Sequence, residues 1–322
     1  MIQNQSSWEA EKHSLCQMMK AHYGFRTVEI RKTKGGFSAL AYLVTDGRGE
    51  RFFLKVYDRR RAGAARWIDA IPYYTPILKA MGESPVLQGR VPEPVMTLQG
   101  APACMDEFRT CLLYRFIEGA SLQGKQFTQE KLHELMGIVA AVHRFSVPEQ
   151  LCNSLARERF ALPFAEKLEE LIQAAPGEIM PEEKKSRVRF LLEHARKLGD
   201  QMMPLPYVLC HGDIHRGNLM DTAHGLVLID WEGMCFAPPE ADLFFFQRCQ
   251  AQMNAVYRDL CGCVPNPMAL EFFGVRRRLE DIYEFLVPLL AERISKEDDK
   301  LYLRYLKNEL ERLSLPMEFD FL

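Results

Sequence analysis

The stretch His211-Gly212-Asp213-Ile214-His215-Arg216-Gly217-Asn218, followed by Leu228-Ile229-Asp230, decides how the rest of the chain reads. It sets an Asp, an Asn five positions on, and a second Asp twelve beyond that at the end of an apolar run. A single Asp or Asn in a loop is ordinarily a turn former or a cap. Three in this order supply what phosphoryl transfer from a nucleotide requires: a base for the acceptor hydroxyl, oxygen ligands for Mg²⁺ and, elsewhere, a cation for the phosphates. Mg²⁺ takes carboxylate or amide oxygens. Asn218 and Asp230 are therefore the metal candidates, and Asp213 is the candidate catalytic base.

Upstream of this stretch the chain reads as a sheet. A short amphipathic helix over 8–23 precedes strands predicted at 27–32, 39–45, 51–57, 95–98 and 111–117. Asp46-Gly47 is a hairpin signal between the second and third. A helix is expected over 64–81, against the grain of Pro72 and Pro76. After Gly119 the period turns helical, with Thr128 as N-cap and Leu132, Leu135, Met136, Val139 and Val142 on one face. Further helices are predicted at 160–174, 181–201, 239–260, 267–292 and 300–313, with short strands and loops at 207–220 and 226–231. The expected architecture is α+β: a five-stranded antiparallel lobe, a short connector, and a mainly helical lobe. A cleft between two such lobes is a natural place for a small ligand.

The Asp-x-x-x-x-Asn spacing matches the kinase catalytic loop, with Gly212 where protein kinases have Arg. The His-Gly-Asp form followed by Ile229-Asp230-Trp231-Glu232 resembles the aminoglycoside phosphotransferase family, a branch of the protein-kinase-like fold. The resemblance extends to Tyr114-Arg115-Phe116-Ile117-Glu118-Gly119, to Val142-His143 with Pro148, and to Ala237-Pro238-Pro239-Glu240-Ala241-Asp242-Leu243. Within the family, Asp213-Ile214-His215, Gly217-Asn218, Ser146-Val147-Pro148 and Leu279-Glu280-Asp281-Ile282 look most like the spectinomycin phosphotransferase branch. The resemblance implies a nucleotide lobe over 1–113, a hinge over 114–119 and a helical lobe over 120–322 with the catalytic loop and substrate site. It implies ATP or GTP with Mg²⁺ as cofactors, Lys55 on the α/β phosphates, and adenine contacts at the Arg115 carbonyl and the Ile117 amide. His211 is expected to bond the backbone around its own loop, and Asp242 to be structural.

Two departures stand out. The glycine-rich loop is reduced to Gly35-Gly36 with Ser38, which leaves Ser38 as a phosphate contact. The helix after Lys55 lacks the usual Glu, so Asp69 is the candidate partner for the lysine, or else a cap ahead of Pro72. The substrate candidates are His215, Trp231, Glu232, Glu280 and Asp281. His215 reads equally as a packed residue, and Trp231 either stacks on a substrate ring or closes the core. The acidic set, with Glu240 and Glu284, favours a cationic ligand if it faces a cleft and is otherwise a solvated helix face. Arg276-Arg277-Arg278 reads as surface.

Composition sets bounds around this core. At 322 residues, and roughly 150 per domain, the chain makes about two domains or lobes. With 41 Lys+Arg against 43 Asp+Glu there is no basic excess for nucleic acid. The apolar runs are too short to span a membrane, and the first residues do not form a signal peptide. Nine Cys without a Cys-x-x-Cys pair read as reduced thiols, which places the protein in the cytoplasm. The expected activity is transfer of the nucleotide γ-phosphate to a hydroxyl of a cationic aminoglycoside or aminocyclitol such as spectinomycin, by a monomer or dimer. The alternatives are a kinase for choline, homoserine or a thiosugar, and a kinase-shaped binding protein without turnover.

Overall fold

Alternation of apolar and polar residues makes the first sheet. In the computed structural model, which describes residues 2–33, 39–152, 155–245, 250–291 and 296–313, Phe52, Leu54 and Val56 are buried and the residues between them point to the opposite face. Helix α1 (Ile2–Tyr23) leads into β1 (Thr27–Thr33), β2 (Leu40–Asp46) and β3 (Arg51–Asp58). Then come α2 (Ala65–Glu83), β4 (Pro94–Val95), β5 (Cys104–Met105), β6 (Arg109–Arg115) and β7 (Ala120–Ser121). Helices α3 (Gln129–His143), α4 (Glu149–Cys152), α5 (Ala165–Ala174) and α6 (Glu182–Asp200) follow. The chain continues through β8 (Val208–Cys210), β9 (Leu219–Thr222), β10 (Gly225–Leu228) and β11 (Cys235–Ala237). It ends with α7 (Glu240–Leu243), α8 (Gln250–Cys261), α9 (Pro267–Ala291) and α10 (Lys296–Arg312). The fold is mixed α and β with antiparallel sheets, and none of the described helices is long and apolar enough to cross a membrane.

By internal contacts the chain divides into two units. The first comprises residues 1–126, 145–155 and 216–234. Its main sheet runs β1-β2-β3-β6-β4, with β5 also paired to β6, so it has six strands rather than the five expected. The sixth arises because the outer side of β6 is shared: β4 pairs with Leu113 and Tyr114, and β5 with Thr110 and Cys111. Two-residue pairings leave no alternation to read, which is why β5 escapes prediction. Leu15, Met19 and Tyr23 of α1 pack on Ile30, Tyr42, Val44, Leu54 and Leu113 of the sheet, and Trp8 stacks on Tyr42 at 5.9 Å. At the Asp46-Gly47 turn, Asp46 Oδ1 accepts from the Arg48 and Glu50 amides at 2.8 and 2.9 Å.

Helix α2 continues through Pro72 and Pro76. A helix-interior proline costs about 3 kcal/mol. Here Ile71, Tyr74, Ile77, Leu78 and Met81 are buried along the same helix, and each such side chain returns roughly 1.5–3 kcal/mol. In the same unit β9 and β10 form a hairpin that pairs on its other side with β7.

The second unit comprises residues 127–144, 156–215 and 235–322. Its core is helical: Leu168 and Ile172 of α5, Val188 and Leu192 of α6, Leu279, Ile282 and Leu286 of α9, and Leu306 and Leu310 of α10. Thr128 caps α3 as expected, its hydroxyl accepting from the Lys131 amide at 3.3 Å. The helix expected over 239–260 is two helices, α7 and α8, with 246–249 outside the described residues.

A close approach in this unit depends on a glycine. A Cβ on Gly199, near the end of α6, would lie 2.5 Å from the Phe160 carbonyl oxygen. Phe160 itself has φ 51° and packs against Phe272 and Phe273 at 5.3 and 5.5 Å. Gly199→Ala is expected to destabilise the protein by about 1–3 kcal/mol, the range for overpacking, which a thermal melt reads as a drop of several degrees.

Candidate active site

Strand β3 carries Lys55, which anchors a polar cluster within the first unit. Lys55 Nζ donates to Asp230 Oδ1 at 2.6 Å and to Glu232 Oε1 at 2.5 Å. Burial works to discharge the lysine; Asp230 and then Glu232 outweigh it and hold its pKa well above the usual value. Tyr57, two residues on in the same strand, donates its hydroxyl to Glu232. Beside this group Tyr74 and Tyr114 share a buried hydroxyl contact at 3.2 Å.

Asp230 has φ 71° and ψ 64°, a left-handed conformation uncommon outside glycine. It opens a single 3-10 turn, Trp231–Gly233, and so sets the Asp230 and Glu232 carboxylates on either side of Trp231. Trp231 is 1% exposed and its indole N–H donates to the Leu228 carbonyl at 2.7 Å. Of its two sequence readings, core closure is the one realised; a ring that buried offers no face to a ligand. Glu232, a substrate candidate by sequence, is instead the buried partner of Lys55. The partner expected on the helix, Asp69, lies exposed on α2.

Asn218 is buried at the end of a 3-10 turn, and its carbonyl accepts the Ile229 amide at 2.9 Å. That bond puts Asn218 and Asp230 at the same end of the β9–β10 hairpin. Their amide and carboxylate oxygens are the hard donors that Mg²⁺ takes, so the donor set fits. Arg115 ends β6 with its guanidinium 3.1 Å from Glu93, and Ile117 lies two residues beyond. Ser38 lies outside the described residues.

The second unit holds Asp213. The preceding backbone turns through Gly212 at φ 85°, which explains glycine at this position. The His211 and Gly212 amides donate to Asp242 Oδ2 and Oδ1, both at 2.8 Å. His143 Nε2 donates to Asp242 Oδ2 at 3.1 Å and its Nδ1 accepts from Tyr257 at 2.7 Å, a tautomer fixed by the acceptor-only carboxylate. The Asp213 amide donates to His211 Nδ1 at 3.1 Å, so His211 does bond the backbone of its own loop.

The Asp213 carboxylate meets Arg277 Nη1 at 2.6 Å and lies 3.5 Å from His215 Nε2. Burial works to raise its pKa; Arg277, then His215 and His211, hold it well below the usual carboxylate range. Arg277 also holds Asp281 at 2.9 Å, and Arg276 bridges Glu280 at 3.0 Å and Glu158 at 2.7 Å. The arginine triplet is therefore not a surface run: Arg278 is buried and donates to the Arg312 carbonyl at 3.1 Å. Sequence reading missed Arg277. The four-residue spacing of Arg277 from Asp281, repeated by Arg276 and Glu280, was the available signal.

The sequence profile of the phosphotransferase enzyme family (APH) matches residues 29–261. The chain belongs to that family. Protein StrN of Streptomyces griseus is 26% identical to this protein over 208 residues, 58% of the chain. The chain spans only 61% of that relative's length. Among solved structures, spectinomycin phosphotransferase APH(9)-Ia in complex with ADP and spectinomycin aligns with a TM-score of 0.73 at 20% identity, covering 94% of this chain and 97% of that one. Amicoumacin kinase hAmiN, in complex with AMP-PNP, Ca²⁺ and Ami, aligns at 0.64 and 13% identity, covering 98% of each. These likenesses show a shared fold.

The Asp242 clamp makes a structural prediction for this phosphotransferase. Asp242→Ala strips acceptors from the buried His211 amide, the half-buried Gly212 amide and His143, at about 1–3 kcal/mol for each buried group left unsatisfied. A lowered melting temperature is expected, with faster hydrogen exchange at His211 and Gly212.

Proposed function

We propose that this phosphotransferase moves the γ-phosphate of ATP or GTP, with Mg²⁺, onto a hydroxyl of a cationic aminocyclitol or aminoglycoside such as spectinomycin. The observation that carries the nucleotide half is the Lys55 ammonium on the Asp230 carboxylate at 2.6 Å. It couples the strand lysine to the aspartate that follows the loop motif, a pairing with no purpose in an ordinary β-sheet. In this reading Lys55 steadies the α/β phosphates, Glu232 aims Lys55, and the Arg115 carbonyl and Ile117 amide receive adenine. Ser38 adds a phosphate contact. Asn218 and Asp230 would hold Mg²⁺, whose charge would offset that of the phosphates. Asp213, kept ionised by Arg277, orients the acceptor hydroxyl and takes its proton.

The division into a nucleotide lobe (1–113), a hinge (114–119) and a helical lobe (120–322) belongs to the same reading, as does a cytoplasmic monomer or dimer with neither nucleic acid nor membrane as partner. The cationic acceptor follows from the family resemblance; of the acidic residues near Asp213, Glu158 and Glu280 are paired with Arg276 and Asp281 with Arg277. His215, beside Asp213, stays a substrate candidate. Choline suits the same acidic set, so the acceptor is decided by a coupled assay over spectinomycin, other aminoglycosides, choline, homoserine and a thiosugar. Turnover on the metabolites alone would remove the antibiotic from the proposal. Against a kinase-shaped binding protein without turnover stand Lys55, Asp213, Asn218 and Asp230, all present, and Glu232, which gives Lys55 the carboxylate that helix α2 does not.

Asp213→Asn is expected to lower turnover by at least ~10²-fold with the melting curve unchanged, the scale of general-base effects. Near-normal turnover in that variant would remove Asp213 from its role. Glu232→Gln is expected to raise the nucleotide KM or lower turnover about tenfold or more, because breaking a buried ion pair costs about 3–5 kcal/mol. Asp69→Asn, an exposed change, should stay within about twofold of wild type.

A further inference from the structure

One guanidinium holds two carboxylates, that of the candidate base and that of a helix neighbour. Arg277 donates through Nη1 to Asp213 Oδ1 at 2.6 Å and through Nε to Asp281 Oδ1 at 2.9 Å. Arg277 and Asp281 are one turn apart on α9, while Asp213 is 64 residues away in sequence. The Phe245 ring lies 5.9 Å from the same guanidinium. A planar fork clamped at two edges fixes the direction in which its remaining donors point; a lysine, with a single ammonium at the end of a flexible stem, does not.

We propose that Arg277, aimed by Asp281, is a positioning residue for Asp213: it fixes the orientation of the carboxylate that accepts the hydroxyl proton. The inference rests on the reading of Asp213 as the base. The charged and titratable groups around the pair are Glu280, Asp281 and Glu284 on α9, His211 and His215 on the loop, Asp242 on α7 behind that loop, and Glu309 of α10 toward Asp281. Among those acting on Asp213, Arg277 is the strongest opponent of burial. Asp281 shows the cost of the arrangement: burial pushes it up to about 7, even with Arg277 working the other way.

The sign of the pH effect follows. A base works only while ionised, so activity falls as pH drops through its pKa. Removing Arg277 raises that pKa and moves the acid limb of the profile to higher pH. The test compares wild type with Arg277→Gln, Arg277→Lys, Asp281→Asn and Asp213→Asn, each checked by thermal melt. The first readout is carboxyl-carbon NMR of aspartate-labelled protein, with the Asp213 signal assigned by its loss in Asp213→Asn. The Asp213 midpoint is expected to rise by about one unit or more in Arg277→Gln, the scale of losing an opposite charge at this range. In Arg277→Lys it stays close to wild type. The second readout is ATP turnover with the acceptor that the panel selects. Turnover in Arg277→Gln is expected to fall about 10- to 100-fold, mainly in kcat, as for a misplaced catalytic group, with its acid limb moved up. Arg277→Lys keeps the wild-type limb but recovers kcat only in part, and Asp281→Asn lowers kcat without abolishing it. An Asp213 midpoint unmoved in folded Arg277→Gln overturns the positioning role while leaving Asp213 as base. Full turnover in Asp213→Asn overturns both.

Discussion

Lys55 carries its charge where burial alone would remove it, and much of the first unit is arranged to prevent that. Two carboxylates, Asp230 and Glu232, meet the ammonium, and Tyr57 from the same strand binds the second of them. Setting both carboxylates toward one lysine requires a sharp turn, and Asp230 takes a left-handed backbone to make it. Such a conformation costs of order 1–3 kcal/mol and persists only when its surroundings over-determine it. Trp231 is what over-determines it here: buried between the two acids and bonded to the Leu228 carbonyl, it locks the turn to the end of β10.

In the second unit the burden is divided between backbone and side chain. Asp242 takes up the amides of His211 and Gly212 and fixes the path of the loop. Arg277 takes the carboxylate of Asp213 and fixes where it points. The two supports come from different helices, α7 and α9, so the shape of the loop and the charge state of its aspartate are set separately. His143 and Tyr257 extend the first support into the helical interior through a chain of buried hydrogen bonds. Buried polar networks of this kind rigidify when every member is partnered.

The motif was legible because three chemically constrained residues occur in order at fixed spacing, and β1, β2, β3 and β6 were legible because each is a run of seven or eight residues rich in strand formers. What escaped has physical reasons. Strand β5 is two residues long and owes its existence to an open stretch of β6. Helix α2 keeps two prolines because its other residues find a core, which local propensity does not record. Helix α2 offers Lys55 no carboxylate from its middle, where Asp69 is exposed, and Glu232 approaches the lysine from 177 residues away. Arg277 was passed over inside an arginine run because a helix wheel shows which residues share a face and not which charge lies opposite.

The shared outer side of β6 bears on how molecules of this protein meet one another. A long unpaired strand at the margin of a sheet is a template for another chain, and proteins commonly blunt it. Here that margin is broken into two dipeptide strands separated in sequence, neither long enough to seed a continuous ladder. The opposite margin, β1, is long, but it carries Glu29, Arg31 and Lys32 exposed toward solvent. Fragmentation guards one border of the sheet and charge guards the other, leaving the sheet poorly suited to fusing with its neighbours while the chain is crowded in a cell.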